Sequence, residues 1–280
     1  MTMALLASSP QVAMDREHPY EHRYFAWLKA WSALADLTEW DFDLWNAPML
    51  AQMAVDADGQ GLVGPPPWPS RPLWAAEGPG DELGPHLLLA AWREFSARAV
   101  ARTRRDLGAA DTRVRYHAEK TASVARLRER SPLPVRAVVL HRDPRDVWLS
   151  IQAFDEQRGY YGFGRALGED DETWFERALA MLAERSRAAV AERERPDSLV
   201  LAYEDLVGRP DATAARLGEW LELDLDPAAP ARDLERHGDH STSASPEASV
   251  GRWRRELEPE RRERFSAALG PELRELGYDD

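Results

Sequence analysis

The chain has 280 residues, 44% of them hydrophobic and 11 of them tryptophan, so it holds enough apolar material to bury a substantial core. A net charge of −13 denies it the basic footprint of a general nucleic-acid binder, and any anionic ligand has to be met by local clusters of basic residues. Zero cysteine excludes disulfides, thiol catalysis and thiolate metal sites; with no secretory leader and no apolar run of membrane-spanning length, the expectation is a cytoplasmic protein without a membrane span.

In chain order, Met1 to Ser8 reads as the body of a helix without an N-cap, closed near Pro10. The next segment carries Glu17, His18, Glu21 and His22. The two histidines are four apart, a metal-ligand spacing, but Pro19 interrupts the helix that this spacing needs, and no metal is expected. Gly and Pro crowd residues 56–85 around Trp68 and Trp74, which predicts a loop. A long helix then runs from His86 to Leu107 and stops at Gly108. Arg113 to Tyr116 is a weak strand candidate, and Glu119, Lys120 and Thr121 follow it.

Val135 to Leu140 is a short apolar run that reads as a buried parallel strand. Asp143 then supplies an N-cap and Pro144 a first-turn residue for the next helix. Arg142 falls at the carboxyl edge of the strand, where open α/β sheets bind ligands, and Ser150 lies two turns along the helix. An arginine fork beside a helix N-terminus suits a phosphate; the competing reading is a surface arginine paired with Asp143 or Asp146 and an incidental serine. Glu169 to Arg195 is an amphipathic helix closed by Pro196, with Trp174, Ala178, Leu182, Ala189 and Val190 along its apolar face. A second strand, Leu199 to Leu201, leads into Tyr203, and the polar stretch His240 to Trp253 reads as a loop. Strands alternating with helices predict an α/β fold with a central parallel sheet flanked by helices.

Four stretches in this order, Glu119-Lys120-Thr121, His141 to Ser150, Tyr203 to Leu206, and His240 to Trp253, resemble the sulfotransferases that use 3′-phosphoadenosine 5′-phosphosulfate (PAPS), particularly the bacterial and protein-tyrosine branches. The resemblance implies a three-layer, P-loop-like fold in one domain over 1–280. A helical and loop insertion near 40–110 would serve the acceptor, and a loop near 237–253 would cover the nucleotide. Family members begin with a strand and a glycine-rich loop that cradles the phosphosulfate, and nothing here matches that part. Aligning Pro10 with the proline that closes the family's first helix puts Met1 just past that loop, so the expectation is a fold lacking its first strand.

The resemblance assigns the 3′-phosphate to Arg142 and Ser150, the adenosine to Tyr203, and a covering role to Ser241, Thr242, Ser243 and Arg252. It makes Glu17, seven residues beyond Pro10, the general base, with His18 in reserve, and it gives Lys120 the transferring group. Only Lys29 and Lys120 of the 36 basic residues are lysines, and a compact ammonium approaches one oxygen in a way the guanidinium fork does not. Where the tyrosine branch carries a second arginine four residues past the serine, this chain has Phe154. The implied reaction is sulfuryl transfer from PAPS to a hydroxyl on a lipid, sugar, small alcohol or peptide tyrosine, without a metal. A non-catalytic nucleotide-binding protein remains the alternative, because the phosphosulfate loop is absent.

Overall fold

A computed structural model of the chain describes residues 1–16, 20, 23–33, 83–121, 124–128, 131–237 and 242–278. It divides into two compact units: Met1–His18, Thr112–Ala118 and Arg136–Asp280 form the first, and Pro19–Asp111 with Glu119–Val135 forms the second.

In the second unit α2 (Tyr24–Ala33) packs on α3 (Leu83–Asp106). Phe25 meets Trp92 edge to face at 5.1 Å, and Tyr24 meets Phe95 at 5.0 Å. The helix α3 begins three residues before the His86 expected from the sequence, because Pro85 fits a first helical turn, where its missing N–H costs nothing. Arg104 and Arg105 lie in its last turn and Gly108 follows at φ 62°. The short α4 (Val124–Arg128) completes this unit among the described residues.

The first unit opens with α1 (Thr2–Ala7), whose Ala4, Leu5 and Leu6 are buried. Two parallel ladders follow: β1 (Val12–Ala13) with β2 (Tyr116–His117), and β3 (Ala137–His141) with β4 (Ser198–Ala202). The α/β class holds. Among the described residues the parallel strands pair as two two-stranded ladders. The weak strand expected at Arg113 to Tyr116 narrows to a pair at its end. A second correction concerns β3: it was expected to be buried, yet Leu140 is 42% exposed, and the strand buried along most of its length is β4. Beyond residues 116–121, α5 (Pro144–Arg158) and α6 (Asp171–Arg193) cross over between the two longer strands. Then come α7 (Tyr203–Gly208), α8 (Pro210–Leu221), α9 (Ala229–His237), a 3-10 turn (Glu247–Ser249), α10 (Trp253–Glu256) and α11 (Pro259–Leu276).

The core sits where α5, α6 and α11 meet. Trp148, Phe175, Ala178, Phe265, Leu269 and Leu273 are fully covered there. Trp148 meets Phe175 edge to face at 5.1 Å, and Phe175 meets Phe265 in the same way at 5.7 Å. The apolar positions expected along α6 are buried, apart from the half-buried Val190, and Phe175, Leu179 and Ala183 join them. This packing holds α5 through Trp148 and Ile151, and α5 begins at Pro144, two residues after Arg142.

Candidate functional site

The register of the second ladder builds the site. Ala137 pairs with Ser198 and each following residue pairs in step, up to His141 with Ala202. Arg142 and Tyr203 therefore leave the carboxyl edge side by side. The Arg142 guanidinium lies over the Tyr203 ring, 4.7 Å from its centroid, an approach that the ring's quadrupole favours. One residue later the main-chain ladder has ended, and the Asp143 N–H donates to the Glu204 carboxylate at 3.0 Å.

Arg142 is held by neutral oxygens. Its Nη1 donates to Ser150 Oγ at 2.9 Å and its Nη2 to the Ser249 carbonyl at 2.5 Å. Ser249 donates its own hydroxyl proton to the Pro246 carbonyl at 2.6 Å, so Tyr203 is the donor in the 3.1 Å contact between the two hydroxyls. Arg142 forms no ion pair among the described residues, and its Nε is buried without a partner there. Of the two carboxylates that sequence reading offered it, Asp146 accepts the Gly251 and Trp253 amides, and Asp143 caps α5 by accepting the Arg145 N–H at 2.9 Å and grips the Arg145 guanidinium through Nε and Nη2. That pair is almost fully buried, and Arg145 lies 3.5 Å over the Trp253 ring. The alternative of an arginine hydrogen-bonded to Asp143 or Asp146 is thus replaced by a half-buried guanidinium on one hydroxyl and one carbonyl, an arrangement that receives an anion.

The loop beside it is clamped by the other acidic residue of the motif. Asp146 is fully buried and accepts the Gly251 N–H at 2.6 Å and the Trp253 N–H at 2.9 Å. Burial pushes its carboxyl above the usual range, and the two amide donors pull in the opposite direction. Gly251 stands at φ 66°, a conformation that a side chain would strain. Between the two clamped amides lies Arg252, buried, with Nη1 donating to the Thr242 carbonyl at 3.1 Å and Nε without a hydrogen-bond partner. Ser243 turns its hydroxyl to the Ser245 carbonyl.

A third cluster joins the residues on either side of Arg142. Tyr278 OH is 2.7 Å from His141 Nδ1 and 2.9 Å from Glu204 Oε2. Burial, helped by Arg193, lowers His141 to about 4. Burial also raises Glu204 and Tyr278 above their usual ranges.

The structure therefore brings together Arg142, Ser150 and Tyr203, and it places Arg252 and Thr242 on the loop clamped to the same helix. Lys120 is an exposed residue of the second unit, next to Glu119, whose carboxylate accepts the Phe25 N–H at 2.5 Å. Glu17, His18 and Ser241 lie outside the described residues. Phe154 stacks with the Arg158 guanidinium, 3.9 Å from the ring centroid. Sequence reading missed Ser249, Asp146 and Glu204. The one available signal was the flanking of Arg252 by Gly251 and Trp253, the residues whose amides Asp146 holds.

The profile of the sulfotransferase family matches residues 83–227, more than half of the chain. The chain belongs to the sulfotransferase family. Among solved structures it is similar to retinol dehydratase in a complex with retinol and PAP, with 20% identity and a TM-score of 0.40 over 69% of this chain and 62% of that one. It is also similar to retinol dehydratase in complex with androsterone and inactive cofactor PAP, with 17% identity and a TM-score of 0.42 over 97% of this chain and 82% of that one. The chain thus spans 62% of the first of these structures. No curated protein matches it. No helix among the described residues is long and apolar enough to cross a membrane.

Proposed function

We propose that this sulfotransferase takes PAPS as its donor and transfers the sulfuryl group to a hydroxyl acceptor. The observation that carries the reading is Arg142: a half-buried guanidinium with no carboxylate hydrogen-bonded to it among the described residues, just ahead of the N-terminus of α5 and beside Ser150. Its donor set suits a phosphate, since the helix N-terminus and the arginine fork both favour a dianion. Ser150 accepts from Arg142 and has no acceptor for its own proton among the described residues, so that proton is available to an anion. The buried Nε–H of Arg142, without a hydrogen-bond partner among the described residues, fits the same need.

On this reading Arg142 and Ser150 hold the 3′-phosphate, Tyr203 lies by the adenosine, and Ser241, Thr242, Ser243 and Arg252 cover the nucleotide. PAPS supplies an activated sulfuryl group carrying less charge than a phosphoryl group, so protein donors replace the metal clamp of phosphoryl transfer. Glu17 takes the acceptor's proton, with His18 in reserve, and Lys120 neutralises charge on the transferring group.

The test is calorimetric titration with adenosine 3′,5′-bisphosphate and with 5′-AMP, which differ only in the 3′-phosphate. The bisphosphate is expected to bind more tightly, and Arg142→Ala to weaken it by about thirtyfold or more, the equivalent of about 2 kcal/mol for a lost buried charge contact. Equal binding of the two nucleotides by the unaltered protein refutes the assignment. Turnover is tested with Glu17→Gln and Lys120→Arg, each expected to lower it without changing bisphosphate affinity.

A further inference from the structure

The ladder that delivers Arg142 to the site stops one residue short of it. Its last pair is His141 with Ala202, and beyond that point side chains, not main-chain bonds, hold the backbone. Asp143, immediately after Arg142, gives its N–H to Glu204 Oε1 at 3.0 Å. His141, immediately before Arg142, meets Tyr278 through Nδ1 at 2.7 Å and edge to face at 5.3 Å between ring centres. Tyr278 joins the two by donating to Glu204 Oε2 at 2.9 Å. A phenol has one proton, so while Glu204 is ionised and accepts it, His141 presents Nδ1–H to the phenol oxygen.

The position of Tyr278 is itself fixed. The helix α11 ends in a paired motif in which the Gly277 N–H donates to the Arg274 carbonyl at 3.1 Å and the Tyr278 N–H to the Leu273 carbonyl at 2.8 Å. Gly277 stands at φ 87°, as this helix ending requires. Leu273 and Leu269 on the same helix are fully buried in the core, so the phenol hangs from a rigid support.

We propose that Tyr278 is a positioning residue for the anion site. Through Glu204 and His141 it fixes the backbone on both sides of Arg142, so that the guanidinium meets the 3′-phosphate with its fork already oriented. The inference rests on the reading of Arg142 as the 3′-phosphate ligand. An arginine gives up about 2 kcal/mol of rotamer entropy when it is ordered, and a backbone held from both sides removes the further cost of arranging its base. Tyr278 itself performs no proton transfer, since burial and the neighbouring Glu204 keep its phenol protonated.

Tyr278→Phe keeps the ring and deletes one oxygen. Titration with adenosine 3′,5′-bisphosphate and 5′-AMP is expected to show the bisphosphate weakened about tenfold, or about 1.4 kcal/mol, and 5′-AMP within about twofold of the unaltered protein. A general loss of stability weakens both nucleotides alike, so an equal loss overturns the proposal, as does full retention of the preference. Glu204→Gln, which keeps the side chain's size and one acceptor oxygen, is expected to lose preference in the same way, and it carries the test if Tyr278→Phe does not fold. If neither variant melts cooperatively, the network is a folding element and the proposal falls. If the unaltered protein does not distinguish the two nucleotides, the Arg142 reading fails and takes this inference with it.

Discussion

Replacing Asp146 by asparagine isolates the clamp between α5 and the loop that carries Arg252. The carboxylate accepts two amides, Gly251 at 2.6 Å and Trp253 at 2.9 Å, from a fully buried position. Asparagine keeps one oxygen for one of them and turns an NH2 group toward the other, leaving a buried N–H unpaired. An unpaired buried donor costs about 1 to 3 kcal/mol. Part of this is offset, because the substitution also removes a carboxylate whose burial is unfavourable enough to raise its pKa. A net loss of about 1 to 2 kcal/mol follows, which corresponds to a fall of about 2 to 3 °C in melting temperature at the usual unfolding entropy per residue for a chain of 280 residues. Alanine, which leaves both amides unpaired, is expected to fall further. The assay is thermal denaturation followed by circular dichroism, repeated with saturating adenosine 3′,5′-bisphosphate. An asparagine variant that melts within about 1 °C of the unaltered protein refutes the claim that these two bonds hold the loop.

Two further outcomes are expected. Phe175 is fully buried between Trp148 and Phe265, so Phe175→Ala is expected to cost about 3 to 5 kcal/mol in urea denaturation; a loss below about 1 kcal/mol, the mean for an arbitrary substitution, shows that the cluster is not the core. His141 is neutral in the folded state down to about pH 4, whereas the unfolded chain protonates it near 6.5. Between those values the unfolded state binds the extra proton, so the contribution of His141 is complete above about 6.5 and is lost as pH falls toward 4. Allowing for partial solvent screening, the unaltered protein is expected to lose about 1 to 2 kcal/mol more than His141→Asn between about pH 7 and pH 5. Glu204 and Asp146, whose carboxyls are raised, act in the opposite direction and largely cancel in the comparison. Parallel pH profiles for the two proteins refute the assignment.

The parts of the site that were legible in the sequence are the local ones. The Asp143 cap, the Pro144 helix start and the nearness of Ser150 to Arg142 all follow from spacing within ten residues of one strand-to-helix turn. The two longer strands and α6 were legible for the same reason, as runs with a clear period. What escaped is what depends on register and on distant chain. Ser249 reaches Arg142 across 107 residues, and Tyr278 reaches His141 across 137. No local pattern marks such partners. The buried Arg145, in contrast to the expected exposure of a basic residue, is explained by its fork on Asp143 and its contact with Trp253.

The offset between β3 and β4 is 61 residues, the same separation that joins Asp143 to Glu204. Most of that length is α5, the turn after it and α6, which lie between the two strands and outside their pairing. Residues added or lost at the exposed turn between Gly159 and Asp170 would change the offset without moving Arg142 away from Tyr203. A single residue inserted between Ala202 and Tyr203 would instead set the newcomer opposite Arg142 and slide Tyr203 to where Glu204 now receives the Asp143 amide. Descendants of this chain are therefore free to remodel the crossover turn, while the exits from the two strands, Arg142 and Asp143 after the first and Tyr203 directly after the second, stay fixed in length.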